Sequence, residues 1–135
     1  LIYKPWPLFL MKLEIKKLKK YTDKTGSLVP FYSKKNFRIK RFFFLYGNKK
    51  YPRADHAHKK CNQIIIPVCG ASKVQIINKK REVFNFLLSD KNRKILVIPK
   101  FHWIKIKFTQ KKSVLLTLCD YKYDKKEYIQ NIKNL

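Results

Sequence analysis

Short stretches in which apolar side chains cluster or alternate with polar ones recur along the chain. They run Leu13–Leu18, Phe37–Tyr46, Gln63–Val68, Lys73–Ile77, Val83–Leu88, Ile95–Ile98, Trp103–Phe108 and Val114–Leu118. Turn-forming residues punctuate them, among others at Gly47, Gly70, Asn78, Ser89-Asp90 and Gln110. Strands rich in Ile, Val and Phe, returning about every 8–12 residues with turns between, predict an all-β sandwich or barrel. Only the tail "DKKEYIQNIKNL" has helical spacing, with Tyr128, Ile129 and Ile132 able to share a face, so a short C-terminal helix is expected. The segment "LIYKPWPLFL", residues 1–10, stands outside the pattern and reads as an N-terminal extension or a misplaced start. A single domain is therefore expected over residues 11–135, beginning at "MKLEIKKLKKY".

Length agrees with that organisation, since 135 residues suffice for one real core and not for two ordinary domains. Hydrophobic residues make up 45%, and the aromatic ones are spread along the whole chain, which argues against a disordered basic tail. Charge changes the picture more. The balance of 33 Lys+Arg against 8 Asp+Glu gives +25 and suits a polyanionic partner: nucleic acid, an anionic membrane or a phosphorylated substrate. The competing reading is lysine as the default surface residue, because the lysines occur in nearly every segment without a concentrated tract. Cys61, Cys69 and Cys119 form no CxxC and leave one over, which fits reduced, buried thiols in a cytoplasmic protein. No apolar run approaches the roughly 18 residues of a membrane span, and the start lacks the small-residue cleavage site of a signal peptide.

The candidate chemistry lies in "YPRADHAHKKCNQIIIPVCG", residues 51–70. On a strand, His56 and His58 point the same way while Asp55 and Ala57 point the other. The pair can be a metal clamp, a general base with its partner, or a chance feature of a solvated basic strand. The spacing of His58, Gln63 and Gly70 resembles the first cupin motif, HxH followed by an acidic ligand and a glycine. Gln63 stands where the metal-binding glutamate would be, and a neutral amide is a weak ligand for a divalent ion. His102, beside Trp103 and without the usual glycine, is the candidate for a further ligand and reads better as structural. No metal is expected.

Longer matches then join this motif. "FRIKRFFFLYG", "YPRADHAHKK" and "NQIIIPVCG" resemble, in order, PFxIKRVYYI, RGxHxHK and QxLxxxxG of the WxcM-like (FdtA-type) cupins, the sugar-nucleotide 3,4-ketoisomerases. "ILVIPKFHW" is similar to the family's strand ending in Trp, and "CDYKYDKKEYIQNI" to its terminal YDExDYIR, so the likeness spans about residues 12–133. The resemblance implies a cupin jelly-roll barrel. It implies a homodimeric, cytoplasmic enzyme with no metal or cofactor, and neither nucleic acid nor membrane as partner. The implied reaction converts dTDP-4-keto-6-deoxyglucose to its 3-keto isomer for surface polysaccharides such as O-antigen. Moving the ketone requires removal of the C3 proton, α to the carbonyl, and return of a proton at C4 through an enediol. Histidine suits that task near neutrality.

Carried over by position, His56 is the base and His58 a second acid/base or an orienting group. Arg53 matches the motif arginine and suits a phosphate or the developing enediolate. Gln63 and Trp103 match positions that shape the pocket, and Arg41, Lys59 and Tyr51 are further substrate-binding candidates. Several positions depart from the pattern. Phe43 replaces the first tyrosine after KRV, Ala54 the glycine of RGxHxH, and Lys125 the tail acid, while Tyr32 falls near an acidic position. Tyr46 lies at an odd offset from Phe43 and cannot replace the missing hydroxyl without a bulge, which makes Tyr51 the first substitute to consider. The departures keep open a diverged cupin that binds a nucleotide sugar without catalysis. A basic nucleic-acid-binding β protein is the other alternative. It is disfavoured because the aromatics follow strand-core spacing instead of standing between lysines.

Overall fold

The computed structural model describes residues 11–135, so the proposed extension over 1–10 lies outside the described residues. Its strands are β1 (Glu14–Lys17), β2 (Tyr21–Asp23), β3 (Gly26–Leu28), β4 (Arg41–Tyr46), β5 (Arg53–His58) and β6 (Gln63–Cys69). They continue with β7 (Ala71–Ile77), β8 (Val83–Ser89), β9 (Lys94–Ile98), β10 (Trp103–Phe108), β11 (Val114–Cys119) and β12 (Tyr128–Ile129). Two five-stranded antiparallel sheets, ordered β1-β9-β6-β11-β4 and β12-β5-β10-β7-β8, make the jelly-roll sandwich that the strand pattern and the resemblance predict. No helix among the described residues is long and apolar enough to cross a membrane.

Period-two alternation builds the core. In β10, "WIKIKF", Ile104, Ile106 and Phe108 are buried between the sheets while Lys105 and Lys107 face water. They meet Ile65 of β6, Val74 and Ile76 of β7, Leu88 of β8 and Leu115 of β11. The outward residues of the first sheet, Ile64, Ile95, Val97 and Leu118, are covered by Leu18 and Phe37 from the N-terminal segment. On the second sheet Ala57, Trp103 and Ile129 form a smaller cluster beneath the C-terminal tail.

The structure departs from the sequence reading in four places. β4 begins only at Arg41, because Phe37 folds into the outer cluster instead of extending the strand. The β2–β3 hairpin has only exposed residues, so it left no apolar signature; Asp23 closes its turn by accepting from the Thr25 backbone N–H at 2.7 Å. Cys61 and Cys119 are buried free thiols as expected, but Cys69 is exposed where β6 runs out of the sandwich. The C-terminal helix is reduced to two single 3-10 turns, Lys125–Glu127 and Ile132–Asn134, with β12 between them. Extended pairing of Tyr128 with His58 and of Ile129 with Ala57 overrides helical spacing there. It sends Tyr128 toward the imidazoles and Ile129 to the Trp103 cluster on the other face, a split that a shared helical face cannot make.

A bulge in β5 sets up the site. Ile104 of β10 opposes His56 and Lys105 opposes Ala54, so Asp55 is the extra residue. Ala54 and Asp55 take φ of +68° and +61°, a left-handed pair unusual for residues with a Cβ. The Asp55 side chain faces outward and accepts from Trp103 Nε1 at 3.0 Å, which ties the bulge to β10.

Candidate active site

Between the sheets lies a cavity of about 290 Å³. The inward positions of β4 place Arg41, Phe43 and Leu45 in its wall; Gln63 and Ile65 come from β6, Ile104 and Ile106 from β10, and Thr117 from β11. The aliphatic side chains belong to the core or pack against it. The polar groups, Arg41, Arg53, His56, Gln63, Thr117, Tyr123 and Tyr128, give the wall its chemistry.

His56 and His58 share one face of β5, and their Nε2 atoms stand 3.1 Å apart with the rings at 86°. The Tyr128 ring lies against both, at centroid distances of 4.9 and 4.4 Å. Behind them His58 Nδ1 meets Glu127 Oε2 at 2.5 Å. Glu127 Oε1 accepts the backbone N–H groups of Lys60 and Cys61 at 3.1 and 3.0 Å. Both His58 and Glu127 are only 2% exposed, so His56 is the member of the chain that reaches the cavity. Burial, and then the neighbouring His58, hold the His56 imidazole below its ordinary value, against weaker pulls from the Ala54 backbone, Glu127 and Asp55. Burial likewise lowers His58, although the hydrogen bond to Glu127 opposes it. Near neutrality the pair is thus uncharged and able to accept a proton.

Arg41 supplies positive charge at the opposite wall. Its Nη2 donates to the Tyr128 hydroxyl at 3.3 Å and its Nε to the Tyr121 carbonyl at 3.4 Å. The guanidinium lies over the rings of Phe43 and Tyr123, at 5.4 and 5.6 Å from their centroids. Burial raises the Tyr128 hydroxyl above its ordinary value, partly offset by Arg41, so it remains a proton donor. Two arginines, neutral imidazoles and a phenol can hold a phosphate-bearing ligand and move a proton within it.

Of the residues singled out in the sequence, Arg41, Arg53, His56 and Gln63 line the cavity, and His58 lies directly behind His56. Gln63 Nε2 also donates to Cys119 Sγ at 3.6 Å. Trp103, Lys59 and Tyr51 lie outside it. Trp103 is one residue out of phase with inward Ile104 and Ile106, so it packs on the outer face; Lys59 and Tyr51 are exposed. His102 is half-buried, with Nδ1 against the Lys100 carbonyl, and does not line the cavity. Phe43 does stand in the cavity wall, and Tyr46 faces outward, as their odd offset requires. Glu127, Tyr123, Tyr128 and Thr117 were missed as site residues. The tail motif containing the first three was legible, but helical spacing hid that Glu127 and Tyr128 turn in toward β5. No three His, Cys, Asp or Glu side chains cluster as metal ligands among the described residues.

Comparison with known proteins gives this geometry its family. The model of the family described as WxcM-like, C-terminal matches residues 11–135. The chain belongs to this family. A TDP-4-oxo-6-deoxy-alpha-D-glucose-3,4-oxoisomerase of Aneurinibacillus thermoaerophilus is 29% identical over 127 residues, covering 92% of this chain and 90% of that protein. Among solved structures, the 3,4-ketoisomerase QdtA of Thermoanaerobacterium thermosaccharolyticum, in complex with TDP, superposes with a TM-score of 0.81 at 29% identity. It covers 94% of this chain and 92% of its own. The TDP-quinovose 3,4-ketoisomerase WlaRB of Campylobacter jejuni gives 0.81 at 28% identity, over 90% of this chain and 95% of its own. A dTDP-4-dehydrorhamnose 3,5-epimerase of Bacillus anthracis shares the fold, with a TM-score of 0.80 at 16% identity over 93% and 81% of the two chains.

Proposed function

We propose that this chain is a sugar-nucleotide 3,4-ketoisomerase acting on dTDP-4-keto-6-deoxyglucose. The reading rests above all on the His56–His58 pair at a cavity flanked by Arg41 and Arg53, in a chain similar to TDP-sugar ketoisomerases along nearly its whole length. His56 takes the C3 proton, made acidic by the adjacent carbonyl, as the electrons form a C3–C4 enediolate. The O3 hydroxyl proton passes to O4 and the same pair returns a proton to C4, leaving the ketone at C3. Carbon and hydrogen are only rearranged, so the reaction needs no external oxidant and no cofactor. Arg53 and Arg41 hold the diphosphate and the enediolate charge, with Gln63 orienting the sugar. The Tyr128 hydroxyl, held by Arg41 in the cavity wall, is able to carry that hydroxyl proton between the two oxygens. A cytoplasmic place in surface-polysaccharide synthesis follows from such a substrate.

The homodimer belongs to the same proposal. Phe42, Phe44 and Tyr46 on β4, with Val68 on β6, leave an apolar stripe on the outer face of the first sheet, 49–72% exposed in the single chain. A second copy covering this stripe is the partner that fits it. To test the function, the chain is incubated with dTDP-4-keto-6-deoxyglucose and followed by proton NMR. The 3-keto product is expected. Tight binding without product would favour the non-catalytic cupin, the alternative that Phe43 keeps open.

A further inference from the structure

The 3.1 Å contact between the Nε2 atoms of His56 and His58 needs one hydrogen, and Glu127 determines which ring supplies it. A carboxylate only accepts. At 2.5 Å from Glu127 Oε2, His58 Nδ1 must therefore carry its hydrogen there, which leaves the lone pair of neutral His58 on Nε2. His56 Nε2–H then donates to that lone pair, which leaves the lone pair of neutral His56 on Nδ1, beside the Ala54 backbone. The second oxygen of Glu127 is already taken by the Lys60 and Cys61 backbone N–H groups, so the carboxylate is fixed against rotation.

We propose that Glu127 is a positioning residue for the reaction. It locks His58 as the Nδ1–H tautomer, and so orders the chain Glu127–His58–His56 for one direction of proton flow. The assignment rests on the ketoisomerase reading for its catalytic consequence and on geometry alone for the tautomer. As the C3–H bond breaks, its electron pair enters the enediolate and its proton goes to His56 Nδ1, where the Ala54 backbone favours the added proton. The His56 Nε2 hydrogen shifts to His58 Nε2, and the positive charge comes to rest beside Glu127. Reversal of the two shifts delivers a proton to C4 while the O3 hydroxyl proton moves to O4, so protons and electrons balance within the substrate and the side chains.

Glu127→Gln tests this because glutamine has one acceptor oxygen where the site uses two. With that oxygen held by the backbone N–H pair, the amide NH₂ faces His58 Nδ1 and forces its hydrogen to Nε2. His58 then donates toward His56, and the lone pair that relayed the proton is gone. The expected result is a fall in kcat of roughly 10²–10⁴-fold with KM little changed. Nitrogen-15 NMR should show His58 as Nδ1–H in the wild-type chain and as Nε2–H in the variant. Glu127→Asp, which keeps a carboxylate, should recover part of the loss. A wild-type His58 found as Nε2–H would overturn the assignment without any variant. So would Glu127→Gln with His58 still Nδ1–H, or a switched tautomer with turnover intact. An inert wild-type chain that still shows the Nδ1–H tautomer would refute the ketoisomerase reading and leave the tautomer assignment standing.

Discussion

Ala54→Gly should stabilise this protein, against the usual direction for glycine in a strand. Ala54 is held at φ +68°, where the Cβ of an L-residue crowds the backbone. Such a left-handed conformation costs roughly 1–2 kcal/mol for a residue with a side chain. Glycine removes that strain but gives the unfolded chain more freedom, which takes back about 0.4–1 kcal/mol. The net gain is about 0.5–1 kcal/mol, a rise in Tm of about 2–5 °C for a domain of this size. Ala57→Gly is the natural control, because Ala57 is fully buried in the same strand without a positive φ. There glycine should lower stability by at least about 0.5–1 kcal/mol. Calorimetry, or urea unfolding with an unchanged m-value, reads both. If Ala54→Gly lowers Tm as Ala57→Gly does, the bulge is not strained at Ala54, and the account of how β5 aims His56 fails.

Phe43→Tyr puts a hydroxyl in the cavity wall beside Arg41 and should raise turnover, since acid–base groups contribute roughly 10²–10⁴-fold; unchanged turnover would mean that Tyr128 already supplies the needed hydroxyl. Both imidazoles lie below their ordinary value in the fold, so the stability they contribute is complete above the unfolded value of about 6.5 and is lost as pH falls through their lower folded values. Tm should therefore drop on acidification below about pH 6.5, and drop less in His56→Asn; equal slopes would contradict the buried neutral pair. Phe44→Asp on the apolar stripe should convert a dimer into monomers in sedimentation, whereas a monomeric wild-type chain would remove the proposed interface.

The strands were legible wherever burial imposes a period of two. In β10 the alternation of Ile104, Lys105, Ile106 and Lys107 announces the two faces directly. The histidine face of β5 was legible for the same reason. Trp103 shows where periodicity alone misleads: it is buried, yet on the wrong side of its strand to line the cavity, because a second cluster under the tail also hides apolar surface. Glu127 was harder. It stands at an acidic position of the tail motif, but its partner His58 is 69 positions away, and only the pairing of β12 with β5 brings them together. The β5 bulge was foreshadowed by the glycine that Ala54 replaces, but which residue would be displaced depends on the register with β10.

In the proposed reaction His56, backed by His58, removes the C3 proton of a 4-keto sugar nucleotide. The most direct measurement is deuterium wash-in at C3 of dTDP-4-keto-6-deoxyglucose in D₂O, followed by NMR for the wild-type chain and for His56→Asn, with TDP affinity measured in parallel. Wild-type chain should exchange C3 hydrogen and accumulate deuterated product. His56→Asn should bind TDP nearly as well and show no enzyme-dependent exchange. Wild-type exchange rates in His56→Asn would contradict the assignment and move the base elsewhere in the cavity.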